Sequence, residues 1–133
     1  MEKEFDKWNE KKKKANTGTV WRAFYEREVW WIHTGVNIGV EIDGKHELFL
    51  RPVIVARKFN KDMALIVPTT AQDKKGNKYY IEVVGDDGKR YVACLSQIRA
   101  VSSKRFFRKV GTIGVVSYSH LLKKLSEMVN GTL

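Results

Sequence analysis

Two polar residues stand at the open end of an apolar hairpin in the segment "FLRPVIVARKFNKDMALIVPTTAQ". Arg51 begins the first apolar strand and Thr70 ends the second. If Asn60-Lys61 forms a two-residue turn, antiparallel pairing places Arg51 opposite Thr70, with Cβ atoms about 5 Å apart. A bulge would bring Thr69 opposite instead. In either register, a guanidinium and a hydroxyl meet at one edge of the sheet.

A glycine-containing stretch, "GVNIGVEIDGKHELFL", precedes this hairpin and supplies Glu41, Lys45 and His46. A guanidinium binds phosphate through two parallel hydrogen bonds and stabilises the charge of a pentavalent phosphorane. A hydroxyl can donate to a phosphate oxygen, and a carboxylate or an imidazole can accept a ribose 2′-proton. Two alternatives stay open: an arginine that caps the sheet edge by pairing with a carboxylate, and a His46 that is only a solvated loop residue.

The sequence contains neither an acidic cluster suited to Mg²⁺ nor a histidine pair at metal-ligand spacing, so we expect no metal and no other cofactor. The chemistry open to the remaining groups is metal-free cleavage of RNA, with the ribose 2′-hydroxyl as internal nucleophile. DNA lacks that hydroxyl and could not react in this way.

The charge balance favours a polyanionic partner. The chain has 25 Lys and Arg against 15 Asp and Glu, a formal net charge of +10. Such a balance is typical of nucleic-acid binding, although it can also serve solubility alone. Lys74 and Lys75, just after the threonine-bearing strand, are candidates for contacts to backbone phosphates, with solvated turn lysines as the alternative.

Length and cysteine content limit the class of protein. The 133 residues suffice for one domain with a modest core. The single cysteine, Cys94, lies in an alternating strand pattern and is interpreted as a core residue, which fits a reducing cytoplasm. The sequence has no apolar run of membrane-spanning length, and its beginning is too charged for a signal peptide. We therefore expect a cytoplasmic location and no membrane partner.

The hydrophobic pattern predicts a mainly β domain with helices. Residues 1–19 are interpreted as a basic helical arm and linker. The arm itself, residues 1–15, is expected to pack loosely on the domain, if at all, and to be dispensable for chemistry. Residues 20–133 form the domain: five or six short, mostly antiparallel strands in a strongly curved, barrel-like sheet. Apolar residues at helical spacing and a terminal "NG" predict an amphipathic C-terminal helix.

Four motifs, taken in order, resemble the MazF/PemK family of toxin endoribonucleases, the mRNA interferases of type II toxin–antitoxin systems. They are "EVWWIHTGVNIGVE", "RPVIV", "VPTTAQ" and "LSQIRAVSSKRFFRKVG", and they span roughly residues 27–130. The resemblance implies an SH3-like barrel of the PemK/CcdB type with a C-terminal helix. It also implies a homodimer, a single-stranded RNA substrate and an antitoxin with an acidic, partly disordered tail.

The resemblance assigns roles to individual residues. Arg51 and Thr70 match the family's catalytic arginine and threonine, and Glu41 matches the acid of its loop signature, although Val40 stands where a serine is common. Gln97 and Arg99 match the family's "QIR" motif. Besides these two, the residues expected to contact RNA are Lys45, His46, Thr69, Gln72, Lys74 and Lys75, and His46 has no matched position in the family. The alternative to an enzyme is a non-catalytic SH3-like module that binds RNA or protein.

Overall fold

The computed structural model describes residues 3–17, 22–35, 37–44 and 49–133. Helices and strands follow the apolar periodicity of the sequence, with short polar connections between them. The helices are α1 (Phe5–Thr17) and α2 (Val115–Asn130). The strands are β1 (Glu28–His33), β2 (Leu50–Lys58), β3 (Met63–Thr70), β4 (Tyr80–Val84), β5 (Arg90–Cys94), β6 (Arg99–Ser102) and β7 (Phe106–Thr112).

The hairpin of β2 and β3 is the centre of the sheet. Its turn is longer than predicted: the Phe59 N–H donates to the Met63 carbonyl over 3.1 Å, so residues 60–62 form the loop and the two-residue turn is wrong. The register then shifts by one residue at a bulge on β2, between Val55 and Arg57. Beyond that bulge Val53 pairs with Pro68, which is the register predicted for the open end. The longer loop and the bulge therefore compensate each other.

The prediction of a mainly β fold is confirmed, but the sheet formed by the described residues has seven strands rather than five or six. Its order is β4-β5-β3-β2-β1-β7, with β6 also paired to β3, and every paired strand is antiparallel. Within the described residues the edge strands β4 and β7 meet through one bridge, between Gly85 and Ile113. The sheet is therefore curved back on itself without a continuous ladder that closes it into a barrel.

Both faces of the central strands are buried, as their unbroken apolar sequences require. One face forms a core that includes Ile32, Val53, Ile66 and Phe106. The other face packs on α2 through Leu121 and Leu125, the two buried residues of that helix. Cys94 is buried and free, which confirms its assignment to the core. Neither described helix is long and apolar enough to cross a membrane.

Helix α2 is fixed to the sheet by polar contacts as well as by its apolar face. Gly131, in the left-handed conformation at φ 76°, ends the helix as the terminal "NG" predicts. The Ser117 hydroxyl accepts a hydrogen bond from the Val84 N–H over 3.0 Å. The Tyr118 hydroxyl donates to the carbonyl of Ala56, the bulged residue of β2, over 2.7 Å. The helix thereby supplies a partner to a carbonyl at the point where the ladder is interrupted.

Helix α1 is more firmly attached than the sequence suggests. Its Trp8 side chain is only 4% exposed and packs against Phe49, with ring centroids 5.7 Å apart. The Lys104 ammonium donates to the Asn16 carbonyl over 2.8 Å at the other end of the helix. The expectation of loose packing is therefore wrong for the face that carries Trp8. The basic residues of α1 are largely exposed, and the Lys12 ammonium lies 6.0 Å from the centre of the Trp8 ring.

We expect Tyr118→Phe to lower the free energy of unfolding by about 1–2 kcal/mol, because it removes one hydrogen bond to a carbonyl inside the sheet–helix interface. Urea denaturation of the purified protein measures this change. Tyr79→Phe, the same substitution at a residue 38% exposed, is the matched control and should leave stability unaltered within error. Equal stabilities of the two variants would show that the Tyr118 hydroxyl does not support the bulge.

Candidate functional site

A cavity of about 260 Å³ opens at the edge of the sheet where β2 begins and β3 ends. Arg51 and Thr70 both line it, so the structure brings together the two residues that the hairpin argument selects. Its other lining residues are Trp31, Leu50, Pro52, Thr69, Ala71, Lys89, Arg90 and Tyr91.

Among the described residues, the Arg51 guanidinium is held by backbone carbonyls rather than by a carboxylate. Its Nε–H donates to the Asp43 carbonyl over 2.7 Å, and an Nη1–H donates to the Thr69 carbonyl over 2.9 Å. Burial lowers the pKa of Arg51 below its ordinary value, and the nearby Asp43 carboxylate opposes this shift. An arginine nevertheless stays protonated at neutral pH. The site therefore contains a fixed cation with N–H groups that these two hydrogen bonds do not use.

The two adjacent threonines have different environments. Thr69 is buried, and its hydroxyl donates to the Pro52 carbonyl over 2.8 Å. The expectation that Thr69 contacts RNA through its side chain does not fit this geometry, because the hydroxyl already bridges two strands. The Thr70 hydroxyl is half-buried and accepts from the Gln72 N–H over 3.2 Å. Its own hydrogen is therefore available to a ligand in the cavity.

The cavity has a basic and aromatic wall that the sequence argument did not assign to the site. Lys89 and Arg90 follow the tight turn between β4 and β5, and Tyr91 is the next residue on β5. They reach Arg51 because Thr70 leaves β2 and pairs with Val92 of β5. A non-local pairing of this kind has no local sequence signal beyond the charged residues themselves.

Strand alternation separates the two neighbouring tryptophans. Trp30 is buried in the core, and its Nε1–H donates to the Glu28 carboxylate over 3.0 Å. Trp31 is half-buried and faces the Arg51 cavity, between Pro52 on β2 and Arg108 on β7. Trp31 therefore presents part of its indole surface to a ligand at this site.

Glu41 opens into a second cavity of about 430 Å³, together with Gln97 and Arg99. The Glu41 carboxylate accepts from the Ile38 N–H over 2.9 Å and is otherwise exposed. The structure thus places it beside two predicted RNA contacts but outside the cavity that holds Arg51 and Thr70. Thr34 also lines this second cavity, and its buried hydroxyl is without a partner among the described residues.

Gln97 connects this cavity to the loop that carries Glu41. Its side-chain oxygen accepts from the Ile42 N–H over 3.3 Å, and its amide nitrogen donates to the Val40 carbonyl over 3.4 Å. Both ends of the side chain therefore hold residues 40–42. This arrangement favours a role for Gln97 in positioning the loop that carries Glu41.

The remaining candidates lie on the surface beyond Thr70. Gln72 and Lys75 are exposed, and Lys75 makes only a loose ion pair of 4.0 Å with Asp73. Lys74 is half-buried, with its ammonium 5.4 Å from the centre of the Tyr80 ring.

Two of the predicted RNA contacts belong to the segment just before β2. Lys45 and His46 lie outside the described residues. Within the ranges that the structure describes, no three His, Cys, Asp or Glu side chains are grouped closely enough to hold a metal ion.

The sequence profile of PemK-like, MazF-like toxins of type II toxin-antitoxin systems matches residues 25–129. This range covers most of the chain, and the chain therefore belongs to that family. The match confirms the resemblance predicted from the four motifs, and α1 lies outside it. Comparison with curated protein sequences gives no match.

Solved structures show the same fold. An endoribonuclease in complex with its cognate antitoxin, from Mycobacterial species, aligns with a TM-score of 0.61 at 9% identity, over 81% of this chain and 96% of that chain. A MazE-MazF structure from Deinococcus radiodurans aligns with a TM-score of 0.54 at 15% identity, over 83% and 97% of the respective chains. At these identities the likeness concerns the fold.

We expect Thr69→Val to destabilise the protein by about 1–3 kcal/mol, because it leaves the Pro52 carbonyl without its buried donor. Thr70→Val, the same change one residue along the strand, should cost no more than about 0.5 kcal/mol since its hydroxyl lies at the cavity surface. Chemical denaturation of both variants makes the comparison. A larger loss for Thr70→Val would contradict the division between a structural and an accessible hydroxyl.

Proposed function

We propose that this toxin is an endoribonuclease that cleaves single-stranded RNA at preferred sequences, leaving a 2′,3′-cyclic phosphate and a 5′-hydroxyl. The observation that carries the proposal is the convergence of the Arg51 guanidinium and the Thr70 hydroxyl in one cavity with a basic wall. The ribose 2′-hydroxyl attacks its own phosphate in this reaction, so the protein needs to stabilise charge and transfer protons.

Arg51 is proposed to bind the scissile phosphate. Its hydrogen bonds to two carbonyls fix the guanidinium without neutralising it, and the N–H groups that these bonds do not use can bind phosphate oxygens. A donor fixed in advance stabilises the developing oxyanion without a cost of reorganisation during the reaction. Thr70 is proposed to donate to a non-bridging oxygen or to the attacking hydroxyl.

Glu41 is proposed as the proton acceptor for the 2′-hydroxyl. Because it opens into the cavity beside Gln97 and Arg99, this role requires an RNA strand that occupies both cavities. The additional proposed contacts to that strand are Gln72, Lys74, Lys75, Lys89, Arg90, Gln97 and Arg99. Trp31 offers a surface for stacking a base, an interaction that every base can make.

The proposal includes two protein partners. The two structural neighbours above are a complex with a cognate antitoxin and a MazE-MazF assembly. By analogy, an antitoxin with an acidic segment would bind the basic site of this chain, whose net charge is +10. A second copy of the chain is the other proposed partner. The apolar residues that α2 leaves exposed, including Leu122 and Val129, support self-association.

An RNA with a single deoxyribose at the cut site tests the mechanism. The purified protein, in buffer containing EDTA, should cleave the all-ribose oligonucleotide and release a 2′,3′-cyclic phosphate detectable by mass spectrometry. It should leave the substituted oligonucleotide intact at that position, because the nucleophile has been removed. Cleavage at the deoxyribose would refute the internal attack, and no cleavage of either RNA would favour a non-catalytic binding module.

We expect Arg51→Lys to lower the cleavage rate about a hundredfold to a thousandfold, nearly as much as Arg51→Ala, because an ammonium keeps the charge but lacks the planar fork. Single-turnover cleavage of a labelled oligonucleotide measures the rate. Arg57→Lys is the matched control, since Arg57 is exposed on β2 and lies outside this cavity. Near-normal activity of Arg51→Lys would show that only positive charge is needed at this position.

A further inference from the structure

Helix α1 packs against the segment that leads to Arg51, although it lies before the residues that match the family profile. Its Trp8 ring packs on Phe49, and the Arg105 guanidinium lies 5.6 Å from the ring centre on another side. Gly35 completes the socket: a Cβ at this position would overlap the indole ring. The socket therefore joins α1 to both ends of the segment between β1 and β2.

Lys3, just before α1, holds the middle of the same segment. Its ammonium forms an ion pair of 3.0 Å with the Asp43 carboxylate and donates to the carbonyls of Asn37 and Gly39. The Lys3 side chain is only 19% exposed. A partly buried lysine with three oxygen partners is better ordered than an exposed surface pair, which contributes little. The Lys3 ammonium thus connects three residues of the 37–43 segment to one another.

Asp43 links this contact to the candidate catalytic arginine. Its carboxylate binds Lys3 and accepts from the Asn37 N–H over 2.6 Å, while its carbonyl accepts from the Arg51 Nε–H. The position of the Asp43 backbone therefore decides where the guanidinium of Arg51 points. One residue separates the cation of the N-terminal segment from the cation of the cavity.

We propose that the N-terminal segment is a strap for the β1–β2 segment, in which Lys3 and Trp8 act as positioning residues for Arg51. The expected effect on the cleavage rate rests on the proposed function, whereas the expected effect on the position of Arg51 does not. It replaces the expectation that residues 1–15 are dispensable for chemistry.

The strap has an electrostatic effect as well as a geometric one. The Asp43 carboxylate interacts electrostatically with the Arg51 guanidinium: it raises the pKa of Arg51, whereas burial lowers it. Lys3 neutralises the Asp43 carboxylate through its ion pair. Without Lys3, this carboxylate is free to pair with Arg51, in competition with an RNA phosphate. Loss of Lys3 should therefore both loosen the segment and reduce the charge offered to the substrate.

The first test compares Lys3→Met with Lys7→Met in the full chain. Lys7 lies in the first turn of α1, and its side chain is 75% exposed, so the control makes the same change of charge without touching the contacts of Lys3. Lys3→Met should lower kcat about tenfold with little change in KM, as expected for a displaced catalytic group. Lys3→Arg should restore most of the rate. An unchanged kcat in Lys3→Met, with active wild-type protein, would overturn the positioning of Arg51.

A double-mutant cycle separates positioning from general damage. If Lys3 acts through Arg51, adding Lys3→Met to Arg51→Ala should slow residual cleavage less than twofold further. If Lys3→Met lowered the cleavage rate a full tenfold even in the Arg51→Ala background, Lys3 would not act through Arg51. Trp8→Ala, with Trp8→Phe as its conservative partner, should repeat this pattern, and thermal melting of each variant confirms that the domain remains folded.

A second readout does not depend on catalysis. The Nε–H resonance of Arg51, identified by its loss in Arg51→Lys, should be protected from solvent exchange in wild-type protein and at least tenfold less protected in Lys3→Met. Amide protons of residues 37–44 should lose protection in parallel, and Lys7→Met should change neither. Unchanged exchange in Lys3→Met would refute the strap. If the wild-type protein cleaves no RNA, the proposed function fails and these exchange rates still decide the structural claim.

Discussion

The anchoring of Arg51 by two backbone carbonyls is the constraint on which the site depends. A carboxylate partner would hold the guanidinium equally well but would neutralise the charge that a phosphate needs. Carbonyl oxygens of Asp43 and Thr69 fix its direction and leave its charge in place. Because both are main-chain atoms, the position of the cation is set by the path of the backbone in two different segments. The surrounding structure can be understood as the means of holding those two segments.

One of these segments, the end of β3, is determined largely by local sequence. The apolar runs on either side of residues 60–62 specify a hairpin, and the alternation of Arg51 and Thr70 with buried neighbours identifies its polar end. The prediction of the turn was wrong by one residue, yet the bulge on β2 restores the register at the open end. The pairing of the end of β3 with β5, which brings Lys89 and Arg90 to the cavity, could not be predicted, because it joins residues that are distant in the chain.

The other segment is determined by contacts that sequence reasoning did not anticipate. A glycine-containing stretch with few apolar residues predicts a loop, but it does not indicate what orders that loop. Trp8 lies in a strongly basic helix and gives little local sign that its ring is buried, and the need for glycine at position 35 becomes evident only when the indole is seen against it. Glu41 was selected through family resemblance. The structure places it one cavity away from Arg51, a separation that the motif alone does not reveal.

Because of the bulge at Ala56, the length of the hairpin loop does not determine the strand register at the open end of the hairpin. In a regular ladder, any residue gained or lost at the turn is transmitted along both strands and exchanges inward-facing for outward-facing side chains. Here the bulge compensates for the extra loop residue after the first two strand pairs. The Tyr118 hydroxyl of α2 donates a hydrogen bond to the carbonyl of the bulged residue, Ala56. Changes of sequence or length in the hairpin tip therefore need not alter the pairing of the strands at the cavity end. The bulge divides the hairpin into a tip that can change in length and a base that keeps its register, and α2 fixes the boundary between them.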